Sequence, residues 1–265
     1  MTTLAATPRF HPLRDSLTML RRNLKHMLRY PSLTVMLIGM PVIFLLLFVY
    51  VFGGTLGAGI GGDRSLYVNY VTPAIILMTV TSVVQGTAIS VAMDMTEGVI
   101  ARFRTMHIAR VSVLTGHVIG SLLQAVFVMA IVIGVALLVG FRPAAGPGEW
   151  LATAGFLVLL TFALVWFAVA LGQVSKSVET ASNLPMPLLL LPFLGSGFVP
   201  TDSMPAGLRW FAEYQPFTPV IETLRGLLMD KPLGDNLWLA LGWCAVIAIG
   251  GYVWSKRLFN REYAH

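Results

Sequence analysis

Residues 33–52 read LTVMLIGMPVIFLLLFVYVF, twenty positions without an acidic or basic side chain. A helix crossing the ~30 Å hydrocarbon layer of a bilayer needs about 20 mostly apolar residues, and shorter runs suffice for a soluble core. The stretch is too long for the apolar region of a cleavable signal sequence, and more runs like it follow. Segments without Asp, Glu, Lys or Arg lie within 66–93, 113–139, 150–174 and 236–255, with His117 near one edge of the second. Another covers 180–198 and is interrupted by Pro185, Pro187 and Pro192. The fold class expected is therefore an all-α integral membrane protein with six transmembrane helices.

Composition agrees. Of 265 residues, 56% are hydrophobic and 11% charged, where a soluble domain carries about 25% charged residues. So few polar groups cannot cover a water-facing surface, and lipid must be the solvent over much of the chain. The length suits one bundle and leaves no room for a separate soluble catalytic domain. The single cysteine, Cys244, lies in the last apolar run and reads as a small apolar side chain.

The flanks set the orientation. Over 13–30, Leu13, Leu17, Leu20, Leu24, Met27 and Leu28 share one helical face, with Arg14, Arg21, Arg22, Lys25 and Arg29 on an adjoining one. This is the pattern of an amphipathic helix lying in the interface with its arginines toward anionic headgroups. Tyr30-Pro31 ends it, because proline disfavours a helical residue before it. With both termini in the cytoplasm, inner segments hold 13 of the 18 lysines and arginines, as the positive-inside rule requires. The net charge of +6 is then explained by topology, and no nucleic-acid partner is implied. Domain organisation follows: a cytoplasmic segment 1–32 with the amphipathic helix, a transmembrane domain 33–255, and a cytoplasmic tail 256–265. A Gly-rich loop is expected over 53–62. Segment 199–228 is expected to form short extracellular or re-entrant helices, with Trp210, Phe211 and Tyr214 at the outer interface and Glu222 paired with Arg225 three residues on.

Several chemistries are excluded. No Gly-Lys dipeptide occurs, so no phosphate-cradling P-loop exists. The histidines (His11, His26, His107, His117, His265) form no metal-ligand pattern. Gly195-Ser196-Gly197 lacks the first glycine of the intramembrane serine protease signature, and the last span supplies no histidine base. The spans show no paired intramembrane charges of the kind ion relays use, so the energy source is expected outside the chain.

One loop carries a positive signal. EGVIARFRTMHIAR, 97–110, interleaves Glu97, Arg102, Arg104 and Arg110 with apolar residues, a composition that suits both charge anchoring and docking onto a soluble partner. Together with QPFTPVIETLRGLL, 215–228, it makes the whole chain resemble the ABC-2 type permease subunits of ATP-driven exporters, in their daunorubicin-resistance (drug exporter) branch. That family usually has proline where this sequence has His107. The resemblance implies a non-catalytic permease in a bacterial cytoplasmic membrane, with no cofactor of its own. It implies two copies of a cytoplasmic ATPase that holds ATP and magnesium, a second permease chain in a homodimer, and a hydrophobic or amphipathic small-molecule substrate among membrane lipids. It implies that 94–110 couples to the ATPase, through Glu97, Arg102, Phe103, Arg104, Met106, His107, Ile108 and Arg110. Spans 1, 2 and 5 would line the substrate path, where Phe44, Phe48, Thr72, Thr79, Gln85 and Phe193 are the candidates, each also compatible with ordinary packing. An exporter of a lipid-linked polymer or peptide, an ion-coupled secondary carrier and a membrane scaffold remain as alternatives.

Overall fold

The computed structural model describes residues 31–96 and 110–261. The expected basic helix over 13–30 and the coupling residues Glu97, Arg102, Phe103, Arg104, Met106, His107 and Ile108 lie outside the described residues. Arg110 opens a helix.

Every regular element described is helical. The first apolar run begins as α1 (Pro31–Leu46), passes through a π-helical stretch at Leu47–Phe52, and continues as α2 (Gly53–Gly59). The expected Gly-rich loop is thus mostly helix, and the turn comes later. The Gly62 N–H reaches back to the Gly57 carbonyl at 2.9 Å, and Gly61 adopts φ +80°, the left-handed closure that glycine makes without strain. Asp63 then caps the next helix. Its Oδ1 accepts from the Ser65 hydroxyl at 2.6 Å and the Leu66 N–H at 3.1 Å. The Ser65 hydroxyl, more than any other group, holds its carboxyl below the usual carboxylate range.

That next helix, α3 (Arg64–Thr96), is the centre of the bundle: every residue from Val71 to Val84 is buried. A helix apolar on all faces is stable only when surrounded, and the hydroxyls within it need partners. They find them locally: Thr72 Oγ1 donates to the Val68 carbonyl at 2.7 Å, and Thr79 Oγ1 to that of Ile75 at 2.8 Å. Thr81 and Ser82 both donate to the Met78 carbonyl at 2.9 Å.

Around α3 stand α4 (Arg110–Val139) and α5 (Pro147–Val174), and the terminal helix α10 (Asn236–Arg261) packs on α5. Two glycines set these spacings. A Cβ on Gly172 of α5 would lie 2.7 Å from the Ala88 carbonyl oxygen of α3, and one on Gly251 of α10 would lie 2.7 Å from the Phe167 nitrogen. A Gly172→Leu protein is expected to be destabilised by at least the 1–3 kcal/mol typical of overpacking, because backbone cannot move aside as a side chain can. Gly155→Leu, whose Cβ meets nothing within 4 Å, is expected to be silent. Thermal melting in detergent compares the two.

Five described helical stretches are long and apolar enough to cross a membrane: Val35–Gly59, Arg64–Thr96, Leu114–Val139, Pro147–Val174 and Asn236–Leu258. The expected span over 180–198 is not one helix. It is α6 (Val178–Asn183), α7 (Met186–Leu190), a 3-10 turn at Leu191–Leu194 and further turns. The three prolines explain this, since each removes an N–H and crowds the preceding turn. Beyond it lie α8 (Ala206–Tyr214) and α9 (Phe217–Leu228). Trp210, Phe211 and Tyr214 are exposed on α8, as an interfacial helix requires. In α9, by contrast, only Glu222 among Phe217–Leu228 escapes full burial, so the second half of the expected interfacial segment belongs to the core.

Candidate functional site

The π-helical stretch sits among aromatic rings. Phe48 lies 4.3 Å from Phe198 and 6.1 Å from Phe193 between centroids, and Phe44 meets Phe193 edge-on at 5.7 Å. These rings close one end of a cavity of about 440 Å³ bounded by α1, α3, α4 and the broken segment α6–α7. Its walls carry Met36, Met40, Met78, Met93 and Met186, and uncharged polar groups from Ser82, Gln85, Ser90 and Gln124. Apolar walls with a few polar groups are the usual character of a small-molecule site, and methionine's flexible thioether lets such walls adapt.

Three of the six candidate path residues, Phe44, Gln85 and Phe193, line this cavity, and Phe48 adjoins it through the aromatic cluster. Gln85 Nε2 donates to the Ser182 carbonyl at 2.8 Å, tying α6 to α3. Thr72 and Thr79 do not line it. They are fully buried with their hydroxyls bonded to their own helix. Sequence reading missed the methionines, although Met36 and Met40 are spaced to share a helical face.

It also missed an ionisable pair. His117 Nε2 lies 3.0 Å from Asp94 Oδ2, at the end of the cavity where α3 finishes and α4 begins, with His117 buried. Helix ends rather than span centres hold this pair, and Asp94 falls in the last turns of α3 rather than in a loop.

At the opposite end of α3, Glu222 and Arg225 do meet in an ion pair. The buried Arg225 guanidinium stacks 3.8 Å over the Tyr70 ring. Its Nη2 donates to the Ser196 carbonyl at 2.8 Å and the Tyr70 carbonyl at 3.2 Å. Tyr70 Oη donates to the same Ser196 carbonyl at 2.9 Å, and Tyr67 Oη to that of Phe198 at 3.2 Å. Arg225 thereby joins α3, the broken segment and α9.

Comparison with known proteins places this architecture. Residues 15–229 match the family described as ABC-2 type transporter. The chain is 28% identical over 258 residues to a daunorubicin resistance ABC transporter permease protein of Streptomyces coeruleorubidus, covering 94% of this chain and 87% of that protein. It is 23% identical over 215 residues to a probable doxorubicin resistance ABC transporter permease protein of Mycobacterium tuberculosis, covering 79% and 76%. Helices built to cross a membrane, a match over most of the chain and relatives that are drug-resistance permeases agree: the protein belongs to the ABC-2 type transporter family, as a multi-pass, non-catalytic permease subunit whose ATPase is a separate subunit.

Proposed function

We propose that the chain is the membrane half of an exporter that moves amphipathic or hydrophobic small molecules across a bacterial cytoplasmic membrane. Its energy comes from a cytoplasmic ATPase that binds ATP and magnesium. Two permease chains and two ATPase chains form the working unit, and the coupling contact is the segment 94–110. The cavity between α1, α3, α4 and α6–α7 is the substrate site, and its character carries the reading: aromatic and methionine walls, hydroxyl and amide groups, and one ionisable lining side chain, His117, which is paired with Asp94 at one end. The names of the relatives support an anthracycline-like compound as one substrate.

Six crossings and cytoplasmic termini belong to the same proposal. The broken segment bonds α3 near one end through Ser182 and Gln85, and near the other through Phe198 and Tyr67. Those α3 positions are separated by about 27 Å of helix at 1.5 Å per residue, close to the ~30 Å of a bilayer core. In a background lacking Cys244, Glu179→Cys is expected to label only from the cytoplasm and Ser203→Cys only from outside. Both residues are exposed. Labelling of both from one face makes 180–198 a re-entrant hairpin and removes the sixth crossing.

The substrate site is tested with the permease and its ATPase reconstituted in vesicles, doxorubicin being the probe. Doxorubicin is expected to stimulate ATP hydrolysis. Phe193→Ala and Phe44→Ala should each raise the half-stimulating concentration roughly tenfold, the loss of one well-buried aromatic contact. Thr79→Val should leave it unchanged, because that hydroxyl faces its own helix. Parental responses from both phenylalanine variants would remove the cavity from the path.

A further inference from the structure

The cavity between α1, α3, α4 and α6–α7 ends against a pair that the proposed path does not use. His117 of α4 lines the cavity and is 4% exposed. Its Nε2 lies 3.0 Å from Oδ2 of Asp94, whose side chain is 14% exposed. Asp94 directly follows Met93, the last α3 residue on the cavity wall. Two helices can be held together at such a point by apolar side chains, and a buried ionisable pair is often no more stable than that contact. Adhesion alone is therefore a poor reason for the pair.

Its surroundings make it a junction. Val91 of α3, Leu114 and Val118 of α4, and Val165, Trp166 and Val169 of α5 form a buried cluster separate from the main core. Just past the pair, α3 ends at Thr96, and α4 begins at Arg110, two turns before His117. The bond thus ties together the two helix ends between which the segment 94–110 is carried. Apolar contacts tolerate sliding, because each atom pair contributes little. A hydrogen bond is confined to distances of about 2.7–3.2 Å. The Asp94–His117 bond therefore responds more sharply than the apolar contacts beside it to a small shift of α4 along α3.

We propose that the Asp94–His117 bond is the link through which a molecule in the cavity acts on the ATPase. The inference rests on the reading of the cavity as the substrate site and of segment 94–110 as the coupling contact. A substrate lying against the His117 ring holds the ring where its bond to Asp94 is made. The bond in turn sets the spacing of the helix ends that carry the segment. Cavity occupancy and ATP hydrolysis are then coupled, as any two sites are when both bias one element. Asp94 and His117 are positioning residues in this scheme, acting through the segment rather than on ATP.

The test uses the full-length permease reconstituted with its ATPase in vesicles, doxorubicin being the probe. Asp94→Ala breaks the pair at the residue that does not line the cavity. Its doxorubicin affinity, read by fluorescence quenching, should stay within about twofold of the parent, and it should still co-purify with the ATPase. The ratio of doxorubicin-stimulated to drug-free hydrolysis should fall about fivefold or more, the low end of typical coupling between sites. Asp94→Ser, too short to reach the ring and able to bond its own helix, should lose the ratio alike and guards against a defect peculiar to alanine. Asp94→Asn keeps an oxygen acceptor for the ring and should keep the ratio. A parental ratio in the alanine and serine variants overturns the proposal. So does loss of the ATPase or of doxorubicin binding in both, which would make the pair a structural staple. Asparagine failing as alanine does overturns it too, because the charge of Asp94 and not its bond to His117 would then matter. Failure of the underlying reading shows elsewhere, as parental responses from Phe44→Ala and Phe193→Ala or as retention of the ATPase by Phe103→Asp.

Discussion

A Phe103→Asp protein is expected to insert normally, to lose its ATPase and to transport nothing. If segment 94–110 only anchors by charge, the number of arginines matters and an added aspartate costs little. If it docks as a helix, Phe103 enters a groove on the ATPase, and burial of such a ring contributes about 1.5–3 kcal/mol. An aspartate there would be buried without a partner, which reverses the sign of the contact. Arg104→Lys tests the polar part of the same contact. It keeps the charge but not the planar fork, so a partial loss is expected where the guanidinium binds in bidentate fashion. ATPase co-purification and vesicle transport, measured for both variants, decide the matter. Parental binding and transport by Phe103→Asp would leave the segment a plain anchor.

The largest expected stability loss from a single side chain is at Arg225. Arg225→Met removes the ion pair with Glu222, two hydrogen bonds to carbonyls on different elements, and the stacking on Tyr70. The carbonyls of Ser196 and Tyr70 remain buried, and the partly buried Glu222 loses its counter-charge. Removal of one member of a buried pair typically costs about 3–5 kcal/mol, and a value near the lower end is expected because Glu222 is 31% exposed. Adding Glu222→Gln to Arg225→Met should recover part of the loss, since no charge then lacks a partner. Melting temperatures of the two single variants and the double give the coupling directly. A cycle with no coupling would mean that the pair contributes only through packing.

Much of this fold was legible because its dominant signal is a one-dimensional count. Runs without charge at 33–52, 66–93, 113–139, 150–174 and 236–255 correspond to the five long helices, with ends moved by a few residues. Trp210 and Tyr214, expected at the outer interface from aromatic residues beside charged ones, are exposed side by side on α8. Failures came where position in space mattered more than composition. Thr72 and Thr79 looked like polar groups in a path, yet a threonine in a helix can satisfy itself on the carbonyl four residues back, and both do. Helix α9 carries Glu222 and Arg225 and so read as amphipathic surface. The ion pair of Arg225 with Glu222 is local and was expected, but its burial against the ring and carbonyl of Tyr70, 155 positions away, is something no local pattern reports. The pairing of Asp94 with His117 joins two helices at positions 23 residues apart and was invisible for the same reason. Pro185, Pro187 and Pro192 did announce a broken segment, and its course along α3 emerged only from the bonds of Ser182 and Phe198.

The self-satisfied hydroxyls of α3 have a mechanical consequence. From Val71 to Val84 all four hydroxyls, those of Thr72, Thr79, Thr81 and Ser82, are turned onto the helix's own carbonyls. Neighbours along this stretch therefore meet hydrocarbon and methyl groups. A helix that slides along hydrocarbon exchanges one set of dispersion contacts for another, each worth only ~0.1–0.2 kcal/mol, and breaks no directional bond. The bonds that do hold neighbours to α3 gather toward its two ends: Tyr67 and Tyr70 at one, Gln85 and Thr87 at the other. The middle of α3 is thus held by shape and burial alone, and every directional tie named here between it and its neighbours sits toward one of its two ends.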